Sequence, residues 1–99
     1  MLLRAYSVYD ECTEAYGVPF FVVNDKTAER AFFMLVNDPQ STVFQSPKDF
    51  SLYFIGTYDD SNAELRTTTP VLIGRAPSFV QARLDDSLPR LGDDPKKGE

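Results

Sequence analysis

The clearest periodicity in this chain is helical, and it is closed at both ends. Asn24 or Asp25 can accept hydrogen bonds from the first free amides of a helix, and an acidic side chain there suits its positive end. Ala28, Ala31, Phe32, Leu35 and Val36 then follow the i, i+3, i+4, i+7, i+8 spacing of a core-facing stripe. Lys26, Glu29 and Arg30 lie largely on the other side. Pro39 stops the helix, because residues before a proline are pushed away from helical dihedrals.

Around this helix the apolar residues alternate or come in short runs, which is the pattern of strands. Residues 2–9 place Leu2, Arg4, Tyr6 and Val8 on one face and Leu3, Ala5, Ser7 and Tyr9 on the other. Neither face is cleanly polar, as expected of a strand covered on both sides or lying at an interface. Asp10 to Gly17 reads as an acidic loop or short helical turn, and Phe20 to Val23 as a short apolar strand after Pro19. Residues 40–49 form a polar loop around Val43 and Phe44. Phe50 to Tyr58 alternates and carries Tyr53 and Ile55 on its second face, the mark of a central strand. Asp59 to Asn62 is a turn cluster and Glu64 to Thr69 the return strand of a hairpin, with Pro70 marking a sheet edge. Val71 to Ile73 continues as a short strand, and Phe79, Val80, Ala82 and Leu84 suit one or two helical turns.

The expected fold is α+β: a small antiparallel sheet with one principal helix packed on one face. It forms one domain over residues 1–84, followed by a flexible acidic tail over residues 85–99. That tail holds too little apolar surface to offset the entropy of ordering it. Phe20, Phe32, Phe50 and Phe54 are expected to fill the core, with tyrosines at its rim.

The residues that are missing bound the chemistry. A chain of 99 residues without histidine and with one cysteine, Cys12, has no histidine-based triad, no CxxC pair, no intrachain disulfide and no usual zinc site. Cys12 reads as a small, partly buried hydrophobe. The five glycines are too widely spaced for a phosphate loop. Asp59-Asp60 is the one Asp-Asp pair inside the expected domain, and turn chemistry accounts for it. A metal-dependent enzyme using Asp59 and Asp60 is the weakest of three functional readings. No catalytic activity, cofactor or metal is therefore expected. The longest apolar run, Ala31 to Val36, is far short of a membrane span, so no membrane partner is expected, and the single cysteine suggests a reducing, cytoplasmic setting.

Ten basic against fifteen acidic residues give a net charge of -5, which argues against a binder that holds polynucleotides mainly by neutralising phosphates. A local basic groove is compatible with that total. Eight Phe and five Tyr exceed what a small core needs. Tyr6, Tyr9, Tyr53 and Tyr58 lie on expected strands, where rings can be offered to unstacked bases. Arg4, Arg66 and Arg75 lie on or beside strands and Lys48 in a loop. The candidate nucleic-acid-binding set is Arg4, Tyr6, Lys48, Tyr53, Arg66 and Arg75.

Three segments, in order, carry a resemblance. They are Tyr6-Ser7-Val8-Tyr9-Asp10; Ala28-Glu29-Arg30-Ala31-Phe32 running to Val36-Asn37-Asp38-Pro39; and Pro47 to Tyr53 running on to Ile55-Gly56-Thr57-Tyr58-Asp59-Asp60. Together they resemble the small nonstructural protein of gokushovirus-type microviruses, phages with circular single-stranded DNA genomes, over roughly residues 4–75. The resemblance implies a non-enzymatic role in genome replication or packaging, with single-stranded DNA binding as the suggested activity, and it brings no catalytic residues. The rival expectation is an acidic protein-interaction module that binds a viral replication or capsid protein or a host replication factor. An exposed sheet edge or second face favours a homodimer.

Overall fold

The computed structural model describes residues 1–81. It contains one antiparallel sheet built from β1 (Leu2–Asp10), β2 (Ala15–Tyr16), β3 (Phe20–Val22), β4 (Phe50–Asp59) and β5 (Glu64–Arg75). The path is β2-β1-β4-β5, and β3 pairs with β1 further along the edge that β2 occupies. Helix α1 (Asp25–Val36) packs on one face, as the sequence predicts for an α+β domain. The expected domain boundary at residue 84 and the tail 85–99 lie outside the described residues.

The ends of α1 fall where their chemistry puts them. The Asn24 side chain accepts from the Thr27 amide at 2.8 Å, and Asp25 opens the first turn. At the other end Asn37 donates to the Phe33 and Phe79 carbonyls, at 2.8 and 3.0 Å, and accepts from the Gln81 amide at 2.8 Å. One amide side chain thus ties the end of the helix to the segment leaving β5.

The buried cluster is Tyr6, Ala28, Phe32, Val36, Val43, Leu52 and Ala76. Two expectations about it are corrected. Only Ala28, Phe32 and Val36 of the helical stripe are buried, whereas Ala31 and Leu35 are exposed, because a single helix touches the sheet along one narrow row. Tyr6 sits in the middle of the core and not at its rim, with its hydroxyl satisfied from outside the apolar cluster; Phe20, Phe50 and Phe54 are only partly buried around it.

Other local readings shift as well. The stretch taken as a loop after Asp10 closes a hairpin, with Asp10 opposite Ala15 and Tyr9 opposite Tyr16. Its turn uses the Asp10 carboxylate as acceptor for the Cys12 amide at 2.9 Å and places Glu14 at a φ of 58°. The β4–β5 turn repeats the device, with Asp59 accepting from the Ser61 amide at 3.0 Å and Ala63 at a φ of 62°. Cys12 is exposed at its turn and not partly buried, since a hairpin tip offers nothing to pack on. Inside the loop 40–49, Ser41 caps a single turn, α2 (Thr42–Gln45), which carries Val43 into the core, and a 3-10 turn follows over Pro47–Asp49. After β5, a 3-10 turn over Ala76–Phe79 brings the Phe79 ring to 5.0 Å from Phe32; Ala82 and Leu84 lie outside the described residues.

β4 is central, between β1 and β5, and β5 is an edge, as Pro70 predicts. The β5 segments before and after Pro70 are one strand with a local irregularity, not two. Register slips on both sides of β4 at the same place. Ala5 pairs with Gly56 but Tyr6 with Phe54, which leaves Ile55 as the extra residue. Gly56 is required there: its φ is +159°, and a Cβ would stand 2.2 Å from the Arg66 carbonyl oxygen. No helix among the described residues is long and apolar enough to cross a membrane.

Candidate functional site

A sheet with one helix has a second face, and in this chain that face is not polar. Register places Tyr16, Tyr9, Ser51 and Arg75 in one cross-strand row, and Ser7, Tyr53 and Leu72 in the next. Further along, Phe21, Ala5, Gly56 and Thr67 form a row, followed by Leu3, Tyr58 and Leu65.

Two aromatic groups mark this open face. At one end the rings of Tyr9 and Tyr16 are 4.7 Å apart, Tyr16 and Tyr53 5.6 Å, and Tyr9 and Tyr53 6.2 Å in an edge-on arrangement. Buried serines underlie them. Ser7 and Ser51 are small enough to leave room for the rings, and the Ser7 hydroxyl donates to the Gly17 carbonyl at 2.7 Å, anchoring the segment that carries Tyr16. At the other end Phe21 and Tyr58 are 5.6 Å apart, beside a cavity of about 120 Å³ lined by Ala5, Phe21, Ile55 and Leu65. That volume is below the usual range for small-molecule sites.

The charges at the tyrosine end are mostly negative. Partial burial of the Tyr9 phenol and the nearby Glu14 and Glu11 raise its pKa above the ordinary tyrosine value. Arg75, at the end of the same row, pairs with Glu11 at 3.5 Å and donates to the Lys48 carbonyl at 3.2 Å.

The sequence-predicted residues divide between the two faces. Tyr53 lies on the open face with Arg75 at its margin, and Arg75 donates to the Lys48 backbone carbonyl. Arg4, Tyr6 and Arg66 belong to the helix-covered face, because Arg4, Thr57 and Arg66 form one cross-strand row and Tyr6 is fully buried. The Tyr6 hydroxyl donates to Asp25, the Arg4 Nε lies 2.9 Å from that hydroxyl and 3.1 Å from Asp25, and the Arg4 guanidinium stands 4.0 Å over the Phe54 ring. Burial, together with donation to Asp25, raises the Tyr6 pKa. Arg66 pairs with Glu64 at 2.8 Å. Each of the three arginines predicted to hold phosphates therefore has a carboxylate partner. Tyr6 cannot offer its ring to a base.

Asp59 and Asp60 are engaged by the N-terminal amine, at 3.8 and 2.6 Å, and hydrogen bonds from Ser61 hold the Asp59 pKa below its ordinary value. Among the described residues no group of three His, Cys, Asp or Glu side chains could hold a metal ion.

Sequence reasoning misses Tyr16, because it reads Asp10 to Gly17 as a loop or short helical turn. The repeated turn pattern, Asp10 five residues before Ala15 and Asp59 five before Glu64, was the available signal for it.

A family model described as Phage ORF5 protein matches residues 3–79. No curated protein and no solved structure matches the chain.

Proposed function

The chain belongs to the Phage ORF5 protein family, and from that membership we propose that it is a non-enzymatic factor of a gokushovirus-type microvirus. In this reading it supports replication or packaging of the single-stranded DNA genome by docking another protein on the open face of its sheet. The observation that carries the proposal is that face itself: Tyr9, Tyr16, Tyr53, Phe21, Tyr58 and Leu65 lie on one surface, with small residues between them, that no second layer among the described residues covers. Tyrosine-rich, charge-poor surfaces are the usual centres of protein interfaces, since rigid rings bury large area at little entropic cost. Glu11 and Glu14 at its margin favour a partner with a basic rim. A replication initiator, a capsid component or a host replication factor fits that role.

A second reading, direct binding of single-stranded DNA, is favoured by one observation: three rings within stacking reach of each other, with Arg75 at the end of their row. Against it stand the Glu11–Arg75 pair and the carboxylates around Tyr9, which oppose phosphate. Fluorescence anisotropy with a labelled single strand, at about 50 and about 200 mM salt, separates the two. The docking reading predicts no saturable binding at the lower salt. Tight binding that weakens steeply at the higher salt would replace it with the DNA reading.

A further inference from the structure

The flank of α1 turned away from the open face carries a surface complementary to itself, and we propose that two copies of this chain associate through it, helix against antiparallel helix. The apolar run Ala31 to Val36 is longer than the core can use. Phe32 and Val36 are buried, but Met34 remains 66% exposed and Leu35 36% exposed. Directly beside them a cavity of about 230 Å³ opens between the helix and the sheet, lined only by Val8, Phe20, Ala31, Phe32 and Leu35. It stays open because Ala31 supplies a single methyl group. A protruding apolar side chain and an apolar recess thus lie side by side on one patch, which is what an isologous twofold contact requires.

Charge identifies the occupant as a second copy. Arg30 and Met34 lie one turn apart on α1, and Asp38 follows the Asn37 C-cap four residues after Met34. Arg30 and Asp38 are both exposed, and neither takes part in an ion pair among the described residues. In an antiparallel pair with its twofold axis between Met34 and the recess, Arg30 of each copy meets Asp38 of the other. The same pairing lowers each exposed Met34 toward the neighbouring recess. Parallel helices would set Arg30 against Arg30. This contact is independent of the open face and leaves it free for a partner.

Sedimentation equilibrium of the full chain at about 100 µM, where a micromolar Kd populates the complex, is expected to give twice the 11.2 kDa of one copy. Met34→Asp is expected to give one copy, with circular dichroism unchanged because residue 34 is exposed. Arg30→Asp is expected to weaken association about tenfold, and Arg30→Asp with Asp38→Arg to restore it. A wild-type chain that sediments as one copy overturns the proposal. So does a dimer indifferent to Met34→Asp, or a double swap that fails to recover association. Tyr53→Ser leaves the dimer intact on this account; if it dissolves the dimer, the copies meet on the open face and the helix contact is wrong.

Discussion

On the side of the sheet turned toward α1, Tyr6 and Leu52 share one buried cluster with Phe32 and Val36. On the opposite side, Tyr9, Tyr16 and Tyr53 share a cluster of their own with no second layer among the described residues. The strands supplying these rings are largely the same, since β1 gives Tyr6 to one side and Tyr9 to the other. Aromatic content therefore does not decide what is core. What decides is whether an element exists to cover the ring and whether its polar atom finds a partner when covered. Tyr6 has both, through α1 and Asp25. Tyr53 has neither, and its face stays open.

The contrast can be broken most forcefully at Phe32. Phe32→Ala should cost about 3–5 kcal/mol in urea unfolding, whereas Tyr53→Ser should cost less than about 1 kcal/mol; equal losses would mean that the open face is part of the core. Gly56 is where tolerance on the open side should end. A Cβ there meets the Arg66 backbone, so Gly56→Ala should lose about 1–3 kcal/mol in the same experiment despite adding only a methyl group. Tyr6→Phe tests the polar anchor of the covered side. It should cost about 1 kcal/mol at neutral pH and also change the alkaline limb. The folded-state pKa of Tyr6 is raised, so its stabilising effect is intact below the unfolded value, near 10, and is lost as pH climbs through the folded value. Thermal melts above about pH 10 should therefore decline less steeply in Tyr6→Phe than in the wild type. The smallest effect belongs to the turn beyond both faces. Ala63→Gly relieves a positive φ and should raise stability by a few tenths of a kcal/mol, read as a small rise in Tm.

The helix, the central strand and the edge were legible because each is signalled within a few residues: Asn24 and Pro39 around α1, alternation through β4, and Pro70 in β5. The Ala15–Tyr16 strand was not, because its two residues gain meaning only from pairing with Tyr9 and Asp10. Nor was the change of face at Ile55, since one extra residue in the ladder leaves no trace in a simple alternation. Of the candidate site, Tyr53 lies on the open face with Arg75 at its margin, while Lys48 reaches Arg75 through its backbone carbonyl. Arg4 and Tyr6 were misplaced because Asp25, twenty-one residues from Arg4, claims both. Arg66 could have been read more closely. Glu64 precedes it by two residues on the same strand, and that spacing puts both side chains on one face.

The open face is proposed as the working surface of this chain. Its most direct test is the yield of packaged single-stranded genome from cells infected with a phage encoding Tyr9→Ser/Tyr53→Ser in this chain. The expected result is a variant that melts like the wild type while genome yield falls about tenfold or more, the effect of losing about 1.4 kcal/mol of partner binding. A folded double variant that gives wild-type yield would contradict it.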